Sequence, residues 1–331
     1  MKLLVTGGAG FIGSNFVRYL LRRYPDWQVV NLDKLTYAGN LDNLTEVETD
    51  PRYAFVKGDI CDADTVGRAA RGADAIINFA AESHVDRSIA DPTGFLRTDI
   101  FGVYVLLEAA RELGVARVIQ ISTDEVYGAI EQGAFREDDR LRPSNPYSAS
   151  KAGGELLAHS YWKTYGAPVI ITRATNNIGP NQYPEKMAPL FITNALEDKP
   201  LPIYGDGKQM RHWMHVDDHC AALDLLLQRG EVGEIYNVGG EPVATNLEMA
   251  TMILDALGKP HELLTHVKDR PGHDRRYAVD SSKLRALGWE PRYDLRAALN
   301  ATIAWYRDNE AWWRKIKSGE FLEYYKRQYG M

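Results

Sequence analysis

A tyrosine and a lysine in the middle of the chain are spaced so that they could act together as a base. Tyr147 and Lys151 follow residues 143–146, a segment bounded by prolines that predicts a turn into a helix. Four helical residues rise about 6 Å, so the two side chains lie on one face. An ammonium group there stabilises a tyrosinate and lowers a phenol pKa that is ordinarily about 10. Such a pair also occurs on solvated helix faces, so it predicts a base only beside a cofactor site.

Three glycines near the start of the chain predict a dinucleotide site. Gly7, Gly10 and Gly13 follow an apolar run that predicts a strand, and they open a segment with helical periodicity. Their missing side chains let the backbone approach a pyrophosphate at the positive end of the helix, although a glycine-rich turn without a ligand is the alternative. Asp33 ends the second predicted strand, where it can bind the adenosine ribose hydroxyls and repel a 2′-phosphate. We therefore predict NAD rather than NADP, a preference that Lys34 could soften by balancing this charge.

Five segments make the chain resemble the extended short-chain dehydrogenase/reductase superfamily and, within it, the dTDP-glucose 4,6-dehydratases. The likeness covers essentially the whole chain. The segments are VTGGAGFIG at residues 5–13, DKLTYAGN at 33–40, AAESHVD at 80–86, STDEVYG at 122–128 and DRPGHD at 269–274. The resemblance implies an NAD-dependent lyase that converts a dTDP-hexose, dTDP-glucose, into a 4-keto-6-deoxy sugar and water. It also implies a homodimer and a place in deoxysugar biosynthesis, such as rhamnose supply.

The acidic pair in the fourth segment favours dehydration over C4 epimerisation, the nearest alternative activity. Related epimerases usually carry small or hydroxyl residues where Asp124 and Glu125 stand. Dehydration needs one group to remove the C5 proton and another to protonate the departing C6 hydroxyl. The resemblance implies that Tyr147 deprotonates the C4 hydroxyl beside Thr123, that Glu125 takes the C5 proton and that Asp124 protonates the C6 oxygen. The catalytic set is then Thr123, Asp124, Glu125, Tyr147 and Lys151.

Two adjacent carboxyl groups with opposite roles impose an electrostatic and a geometric condition. Their pKa values must be separated, for example by desolvation of one or by repulsion between them. Successive side chains of a strand point to opposite faces, so both can meet one sugar only if extended structure ends near Thr123, and we predict that it does. A helix N-terminus that carries acids because of the macrodipole is the alternative interpretation of Asp124 and Glu125.

By resemblance, further residues belong to the cofactor and sugar-nucleotide sites. The cofactor set is Gly7, Gly10, Phe11, Ile12, Gly13, Asp33, Lys34, Leu35, Thr36, Asp59, Ile60, Ala80, Ala81, Ser83, Thr98, Tyr147, Lys151 and Asn177. The substrate set is Ser83, Thr123, Asn176, Lys186, Met187, Pro202, Tyr204, Arg211, Asn246, Arg270 and His273. From the residues alone, Asp59 could contact adenine or cap the helix that starts near Asp62.

The elements that must position these residues alternate between strands and helices. Short apolar runs at residues 2–6, 28–32, 75–79, 117–121 and 169–173 predict strands covered on both faces. Periodic segments at 11–23 and 103–113 can cross over between parallel strands. The pattern predicts an α/β fold with a doubly wound parallel (Rossmann) sheet and a second, smaller α/β substrate domain, with the ligand crevice between the two.

The predicted domains are interleaved. The NAD-binding domain takes residues 1–175 and a returning segment at about 212–240, which ends in a strand-like run. The nucleotide-sugar domain takes residues 176–211, where prolines and glycines interrupt the alternation, and residues 241–331. We expect the aromatic-rich end at 305–329 to dock on the second domain; a membrane-surface helix is the alternative. Helices at 103–113 and 152–165 could pack across a two-fold axis.

Composition favours a globular protein and argues against membrane, secreted and nucleic-acid-binding classes. With 45% hydrophobic and 25% charged residues the chain has a globular balance, and it lacks a spanning apolar run and the pattern of a signal peptide. Two distant cysteines favour a reducing cytoplasm, and a net charge of −6 argues against nucleic acid as a partner. A non-catalytic protein that senses NAD is the alternative from another class.

A group of histidines resembles metal-ligand spacing. His212, His215 and His219 stand close together, with Asp217 and Asp218 among them. One of these aspartates could equally cap the apolar helix that follows. We predict no metal, because zinc sites require cleaner ligand geometry.

Overall fold

The computed structural model describes residues 1–239 and 243–330. Its strands are β1 Lys2–Thr6, β2 Gln28–Asp33, β3 Tyr53–Lys57, β4 Ala75–Asn78, β5 Arg117–Thr123, β6 Val169–Ala174, β7 Asn176–Ile178, β8 Leu201–Tyr204, β9 Met210–His215, β10 Ile235–Val238, β11 Val243–Thr245 and β12 Leu264–Val267. Seven of them form one parallel sheet in the order β10-β6-β5-β4-β1-β2-β3. The predicted doubly wound α/β fold is confirmed. The five predicted apolar runs are β1, β2, β4, β5 and β6.

Helices cover both faces of this sheet. The helices are α1 Phe11–Arg23, α2 Ala63–Ala69, α3 Val85–Ala90, α4 Thr93–Leu96, α5 Val103–Leu113, α6 Pro146–Tyr165, α7 Met187–Leu196, α8 Val216–Arg229, α9 Asn246–Leu257, α10 Ser282–Ala286, α11 Leu295–Asp308, α12 Glu310–Ile316 and α13 Glu320–Tyr329, with 3-10 turns at Leu41–Leu44, Asp124–Tyr127 and His261–Leu263 and a π-helical turn at Arg97–Gly102. Alternate side chains of β1 face opposite ways, so Leu3 packs with α1 and α8 while Leu4 packs with α2, α5 and α6. Because both faces are covered, the central strands carry apolar side chains on both faces.

A second group of elements packs beside the carboxyl end of the sheet. β9 pairs with β7 in parallel and with β11 in antiparallel orientation, and β8 pairs with β12. Around them α7, α9 and α11 enclose a separate apolar core that includes Phe191, Ile253 and Tyr306. The division into two domains stays a prediction, and its predicted boundary between residues 240 and 241 lies outside the described residues. The chain enters the second group directly after β6, since Thr175 alone separates β6 from β7.

The aromatic C-terminal helices dock on this second core. Trp313 and Phe321 are buried in it, which confirms the expected docking. The indole of Trp312 reaches the first group of elements, where it donates to Asn43 Oδ1 at 2.9 Å. Within the described part of the chain, no helix is both long and apolar enough to cross a membrane.

A buried ion pair fixes α6, the helix that carries Tyr147 and Lys151, to the sheet. Arg173 on β6 and Glu155 on α6 approach to 2.6 Å between Nη2 and Oε1, with side chains that are 4% and 2% exposed. Arg173 also donates to the hydroxyl of Tyr127, which donates in turn to Asn237 Oδ1 on β10. The guanidinium therefore joins α6, β6 and the turn after β5.

Replacing Glu155 with glutamine should destabilise the protein by about 3–5 kcal/mol, because it leaves the Arg173 guanidinium buried without its counter-charge. The measurement is the urea midpoint and slope of unfolding. Glu310→Gln is the matched control, since Glu310 pairs with Arg314 on a surface where both side chains are about half exposed, 48% and 50%. That change should cost about 0.5 kcal/mol or less. Equal effects of the two changes would contradict the role given to the buried pair.

Candidate active site

The glycine loop after β1 forms a cradle that only glycine can build. Gly7 has a φ of +68°, and a Cβ there would lie 2.6 Å from the backbone nitrogen of Ala80. A Cβ on Gly13 would lie 2.3 Å from the carbonyl oxygen of Gly7. Gly10 is the N-cap of α1 and offers no side chain to its first amides. Free amides at a helix N-terminus beside a close backbone turn suit a pyrophosphate.

The adenosine end of this region is fixed by carboxylates at the ends of β2 and β3. Asp33 accepts hydrogen bonds from the backbone amides of Ala9 and Leu35 at 2.9 and 2.8 Å, and burial raises its pKa. Lys34, which could have balanced Asp33, pairs instead with Asp59 at 2.8 Å. The sequence left two roles open for Asp59, contact with adenine and capping of the helix that starts near Asp62, and the structure decides the second. The cap of α2 is Asp62 itself, whose side chain accepts from two backbone amides, so the capping interpretation of Asp59 is wrong.

A large cavity runs along the carboxyl end of the sheet from Asp33 to β5. It holds about 1720 Å³ of empty space that includes open solvent. The predicted cofactor residues that line it are Gly7, Gly10, Phe11, Ile12, Gly13, Asp33, Lys34, Thr36, Asp59, Ile60, Ala80, Ala81, Ser83, Thr98, Tyr147, Lys151 and Asn177. Leu35 stands apart from this lining, with its amide turned to Asp33. Contact of each residue with NAD stays a prediction.

Extended structure ends at Thr123, as predicted. Asp124 and Glu125 form the first turn of a 3-10 helix of four residues, and the hydroxyl of Thr123 caps it by accepting from the amide of Glu125 at 3.3 Å. Both acids line the large cavity together with Tyr147. The alternative interpretation, acids at a helix N-terminus, therefore describes the local backbone correctly. The position of both acids in the cavity wall is what makes them candidates for catalysis on one bound molecule.

The electrostatic surroundings of Asp124 suit a proton donor. Its side chain is almost fully buried, and burial is the main cause that raises its pKa to about 7, followed by repulsion from Glu125. The Arg211 charge and a hydrogen bond with Thr123 oppose the rise. Oxygen Oδ2 of Asp124 and oxygen Oε2 of Glu125 are buried and make no hydrogen bond among the described residues. Near neutrality a substantial fraction of Asp124 therefore carries a proton.

The helix that carries Tyr147 begins with a capping box, as the sequence suggested a helix start there. The predicted lowering of the Tyr147 pKa is wrong. Asn145 caps α6 in a capping box with Ser148. Burial raises the pKa of Tyr147 well above its ordinary value, with repulsion from Glu125 and Asp99 next, whereas a hydrogen bond with Thr123 lowers it. Lys151 is not among the main causes that shift the Tyr147 pKa. Its ammonium donates to the carbonyl of Ile121 at 2.7 Å, and burial lowers its own pKa.

Sequence reasoning missed Asp99, a buried carboxyl group behind the catalytic helix. It lies in the π-helical turn, where it accepts from the hydroxyl of Ser150 at 2.6 Å and from the amide of Glu82 at 3.2 Å. Burial raises its pKa to about 6, and Lys151 is the largest opposing cause. The only sequence signal was one acid within a mostly apolar helical segment.

A second cavity continues from the first towards β8 and β12. It holds about 810 Å³ of empty space that includes open solvent. The predicted substrate residues that line it are Asn176, Lys186, Met187, Pro202, Tyr204, Arg211, Asn246, Arg270 and His273, while Ser83 and Thr123 line the first cavity. Glu125, Asn176, Lys186 and Met187 line both cavities. The two cavities therefore meet beside the acidic pair.

Two arginines lie in the wall of the second cavity. The guanidinium of Arg211 stacks on the ring of Tyr277 at 4.2 Å, and one of its nitrogens donates to the carbonyl of Asp274 at 3.0 Å. Arg270 approaches Asp86 at 3.5 Å, and its Nε is buried without a hydrogen bond among the described residues. Guanidinium groups with unused donors suit phosphate oxygens.

A bidentate ion pair that sequence reasoning also missed fixes Lys186. Arg87 on α3 donates two hydrogen bonds of 2.8 Å to Glu185, whose side chain is 2% exposed. The guanidinium lies against the ring of Tyr37 at 3.8 Å and that of Tyr324 at 4.8 Å. Lys186 donates to the carbonyl of Ser83. Residues 80–90 of the first group are thus tied to the start of α7.

The histidines on and after β9 are not arranged as a metal site among the described residues. His215 caps α8 by accepting from the amide of Asp217, while Asp218 accepts from the amides of Arg292 and Tyr293, so the predicted aspartate cap is wrong. His219 lines the cofactor cavity, and burial lowers its pKa to about 4. Across residues 1–239 and 243–330, no group of three or more histidine, cysteine or acidic side chains could hold a metal ion.

Comparisons with known proteins agree with this geometry. Residues 4–302 match the family model described as GDP-mannose 4,6 dehydratase. The chain is 50% identical over 323 residues to a dTDP-glucose 4,6-dehydratase of Streptomyces niveus, which covers 96% of each chain. It is 46% identical over 358 residues to dTDP-glucose 4,6-dehydratase 1 of Escherichia coli K12, which covers 99% of each.

Solved structures show the same order of similarity. DesIV, a dTDP-glucose 4,6-dehydratase from Streptomyces venezuelae solved with NAD bound, superposes with a TM-score of 0.94 at 52% identity and covers 96% of this chain and 100% of its own. A UDP-glucose 4-epimerase of Thermus thermophilus solved with NAD superposes with a TM-score of 0.87 at 32% identity, covering 93% and 100%. The fold is shared with epimerases, but the dehydratase is more similar.

Replacing Glu125 with glutamine should lower the pKa of Asp124 below about 7, because it removes the carboxylate that repels the Asp124 charge. Carbon-13 NMR of labelled aspartate carboxyl groups across a pH titration measures the change. Glu290→Gln, at an exposed position, removes the same charge far from Asp124 in the chain and should leave the pKa of Asp124 unchanged. A pKa of Asp124 that stays the same in Glu125→Gln would show that Glu125 does not repel it.

Proposed function

The chain belongs to the GDP-mannose 4,6-dehydratase family, and we propose that within this family it is a dTDP-glucose 4,6-dehydratase. The reaction converts dTDP-glucose into dTDP-4-keto-6-deoxyglucose and water. One observation carries the proposal: Asp124 and Glu125 line the same cavity as Tyr147 and the glycine cradle. An epimerase has no use for an acid and a base at C6 and C5.

The residues of the large cavity fit NAD. The close backbone packing at Gly7 and Gly13 leaves no room for a Cβ, which forms the tight turn that a pyrophosphate site needs, and Asp33 lines the same cavity. When bound, NAD supplies a hydride acceptor for C4 of the sugar and later a hydride donor for C6, together with a positive charge. The chain's own residues hold and move the protons.

Tyr147 takes the proton of the C4 hydroxyl while that carbon is oxidised. Burial opposes the phenolate, so the hydrogen bond with Thr123 is the interaction within the chain that favours it. Lys151 keeps its place through the carbonyl of Ile121. We assign Lys151 the task of orienting the reacting groups and contributing positive charge beside α6, since Asp99 and Glu155 both support its charged form.

The C4 ketone makes the C5 proton acidic, and the two carboxyl groups complete the elimination. Glu125 accepts the C5 proton, the electron pair of that bond forms the C5–C6 double bond, and the C6–O bond breaks as Asp124 gives its proton to the leaving oxygen. One water leaves. The proton of Asp124 is present below its pKa of about 7 and is lost as the pH rises above it, so elimination slows on the alkaline side.

The second cavity holds the nucleotide part of the substrate. Arg211 and Arg270 provide donors for the diphosphate. Asn246 and His273 line the far part of the cavity and are assigned to the nucleoside. Lys186, which lies where the cavities meet, is assigned to the region between sugar and diphosphate. Contacts of these residues with substrate are part of the proposal.

Product analysis tests the assignment. Incubation with dTDP-glucose should give a 4-keto-6-deoxy sugar that mass spectrometry finds lighter by one water, and UDP-, CDP- and GDP-hexoses in parallel test the nucleotide. dTDP-galactose formed without loss of water would identify an epimerase. Binding of NAD with no turnover of any sugar nucleotide would indicate an NAD-sensing protein.

Replacing Glu125 with glutamine should slow dehydration by about 10²- to 10⁴-fold, the usual contribution of a general base, while NAD binding is retained. Asp124→Asn should slow the release of water to a similar extent. The measurement is single-turnover product formation by mass spectrometry. Glu131→Gln, at an exposed position outside both cavities, should keep the parent rate. Normal turnover by Glu125→Gln would contradict its assignment as the base.

We further propose that the protein is a homodimer and works in the cytoplasm. Two unpaired cysteines, Cys61 and Cys220, support a reducing compartment. Large exposed apolar side chains concentrate on α5, α6 and the turns before α5. These are Leu96 at 51%, Phe101 at 46%, Tyr104 at 41%, Leu113 at 42%, Leu156 at 58% and Tyr165 at 58% exposure. Because α5, α6 and the π-helical turn pack against one another, this concentration of exposed apolar side chains favours an interface between copies of the chain.

Replacing Leu156 with glutamate should convert the dimer into a monomer, because a charge would have to be buried in the centre of the interface. Light scattering coupled to gel filtration measures the mass. Leu41→Glu places the same charge on another leucine, 41% exposed and distant from α6 in sequence, and should leave the dimer intact. A wild-type protein that is monomeric at micromolar concentration would refute the proposed dimer.

A further inference from the structure

A lysine stands where the cofactor cavity reaches the adenosine end. Lys34 follows Asp33 directly at the end of β2, lines the cavity and has a side chain that is 56% exposed. In dinucleotide sites an acid at the end of this strand binds the ribose hydroxyls, whereas a nearby cation accommodates a 2′-phosphate. The chain thus carries both kinds of group at adjacent positions, and the preference for one cofactor depends on what each group contacts.

The structure gives the ammonium of Lys34 a partner across the strand ends. Nζ of Lys34 lies 2.8 Å from Oδ2 of Asp59. Asp59 is held in place, because its Oδ1 accepts from the amide of Cys61 at 2.9 Å. The segment that follows β3 and contains Asp59 is fixed to the end of β2, because the amide of Gly58 donates to the carbonyl of Asp33 at 3.0 Å. Lys34 and Asp59 therefore face each other from the ends of paired strands.

Asp33 does not share this lysine. Both of its carboxylate oxygens accept backbone amides, from Ala9 and Leu35. The Lys34 charge lowers the pKa of Asp59, together with their side-chain hydrogen bond. Two carboxylates and one ammonium thus line the same end of the cavity, and the ammonium is engaged by one of the carboxylates.

We propose that Asp59 is a specificity-determining residue, which excludes a 2′-phosphorylated cofactor by holding the ammonium of Lys34 and by placing a second carboxylate at the adenosine end. This inference rests on the proposed use of NAD, and it extends that proposal from the single acid Asp33 to a pair. A phosphate would have to compete with Asp59 for the ammonium while both carboxylates repel it. Without Asp59, the same lysine becomes a phosphate ligand.

The test measures cofactor binding, so that a failure of the proposed dehydration does not affect it. The protein is loaded with NADH, and NAD⁺ or NADP⁺ displaces it, followed by the loss of fluorescence of bound NADH. Asp59→Asn should raise the affinity for NADP⁺ relative to NAD⁺ about tenfold, which corresponds to about 1.4 kcal/mol. The ratio is used because any lost contact of Asp59 with adenine affects both cofactors equally.

A double-mutant cycle makes the inference specific to the pair. Adding Lys34→Gln to Asp59→Asn should return the ratio to the parent value. Lys34→Gln alone should lower the ratio by only about two- to threefold, because it leaves the Asp59 carboxylate without its counter-charge but removes no phosphate ligand. Asp64→Asn removes an exposed acid on α2 that lies outside the cavity lining and should leave the ratio unchanged.

Three outcomes would overturn the proposal. An unchanged ratio in Asp59→Asn, or an equal rise when Lys34 is absent, would show that the pair does not set the preference. A tenfold loss of NADP⁺ affinity in Lys34→Gln alone would show that the lysine is already available to a phosphate in the parent protein. That last measurement needs no change at Asp59, so it decides the question even if Asp59→Asn does not fold.

Discussion

The end of β5 at Thr123 is the constraint on which the site depends. Consecutive residues of a strand face opposite ways, so Asp124 and Glu125 can serve one substrate only if the backbone leaves the strand before them. The hydroxyl of Thr123 makes that exit possible by capping the 3-10 turn, and the same side chain bonds to Tyr147. One threonine therefore sets both the direction of the acidic pair and the hydrogen bonding of the base.

Burial has opposite consequences for the two proton transfers of the proposed mechanism, the one from the C4 hydroxyl to Tyr147 and the one from Asp124 to the C6 oxygen. Desolvation raises the pKa of Asp124 to about 7, which keeps a proton available for the leaving hydroxyl. The same desolvation raises the pKa of Tyr147, which works against a phenolate, and the nearby acids add to the effect. An acidic pair that suits elimination is thus unfavourable for the first proton transfer. Positive charge near Tyr147 must come from Lys151 and from the bound cofactor for the cycle to begin.

Local sequence patterns predict the parts of the structure that depend on neighbours in the chain. Apolar runs identified six strands of the main sheet, including the returning strand β10, and the glycine spacing after β1 identified the cradle. Burial on both faces and close backbone approach leave direct marks on residue type. β3 was missed, since its side chains are only partly buried and its five residues mix polar and apolar types. Sequence patterns also did not predict that β9 pairs with β7 and β11, because these strands are short and far apart in the sequence.

The wrong predictions at the site have one physical cause. A charged or polar side chain interacts with the groups nearest to it in the folded chain, and these need not be its neighbours in sequence. Lys34 was weighed against its neighbour Asp33, but Asp59 lies closer because β2 and β3 pair. The cap of α8 was given to an aspartate because aspartate is a frequent cap, yet His215 occupies that position and Asp218 is engaged by backbone amides of residues 292 and 293. Similarly, the lowering of the Tyr147 pKa was argued from one lysine without the buried acids around it.

The two cavities meet beside residues that buried contacts hold in place. Glu125 and Lys186 line both cavities, so the base and the nucleotide end of the substrate share one wall. Lys186 is held by the carbonyl of Ser83, and its neighbour Glu185 by Arg87. These contacts join residues 80–90 to the start of α7. In the proposed reaction, this junction would hold in place the wall along which the sugar reaches Glu125.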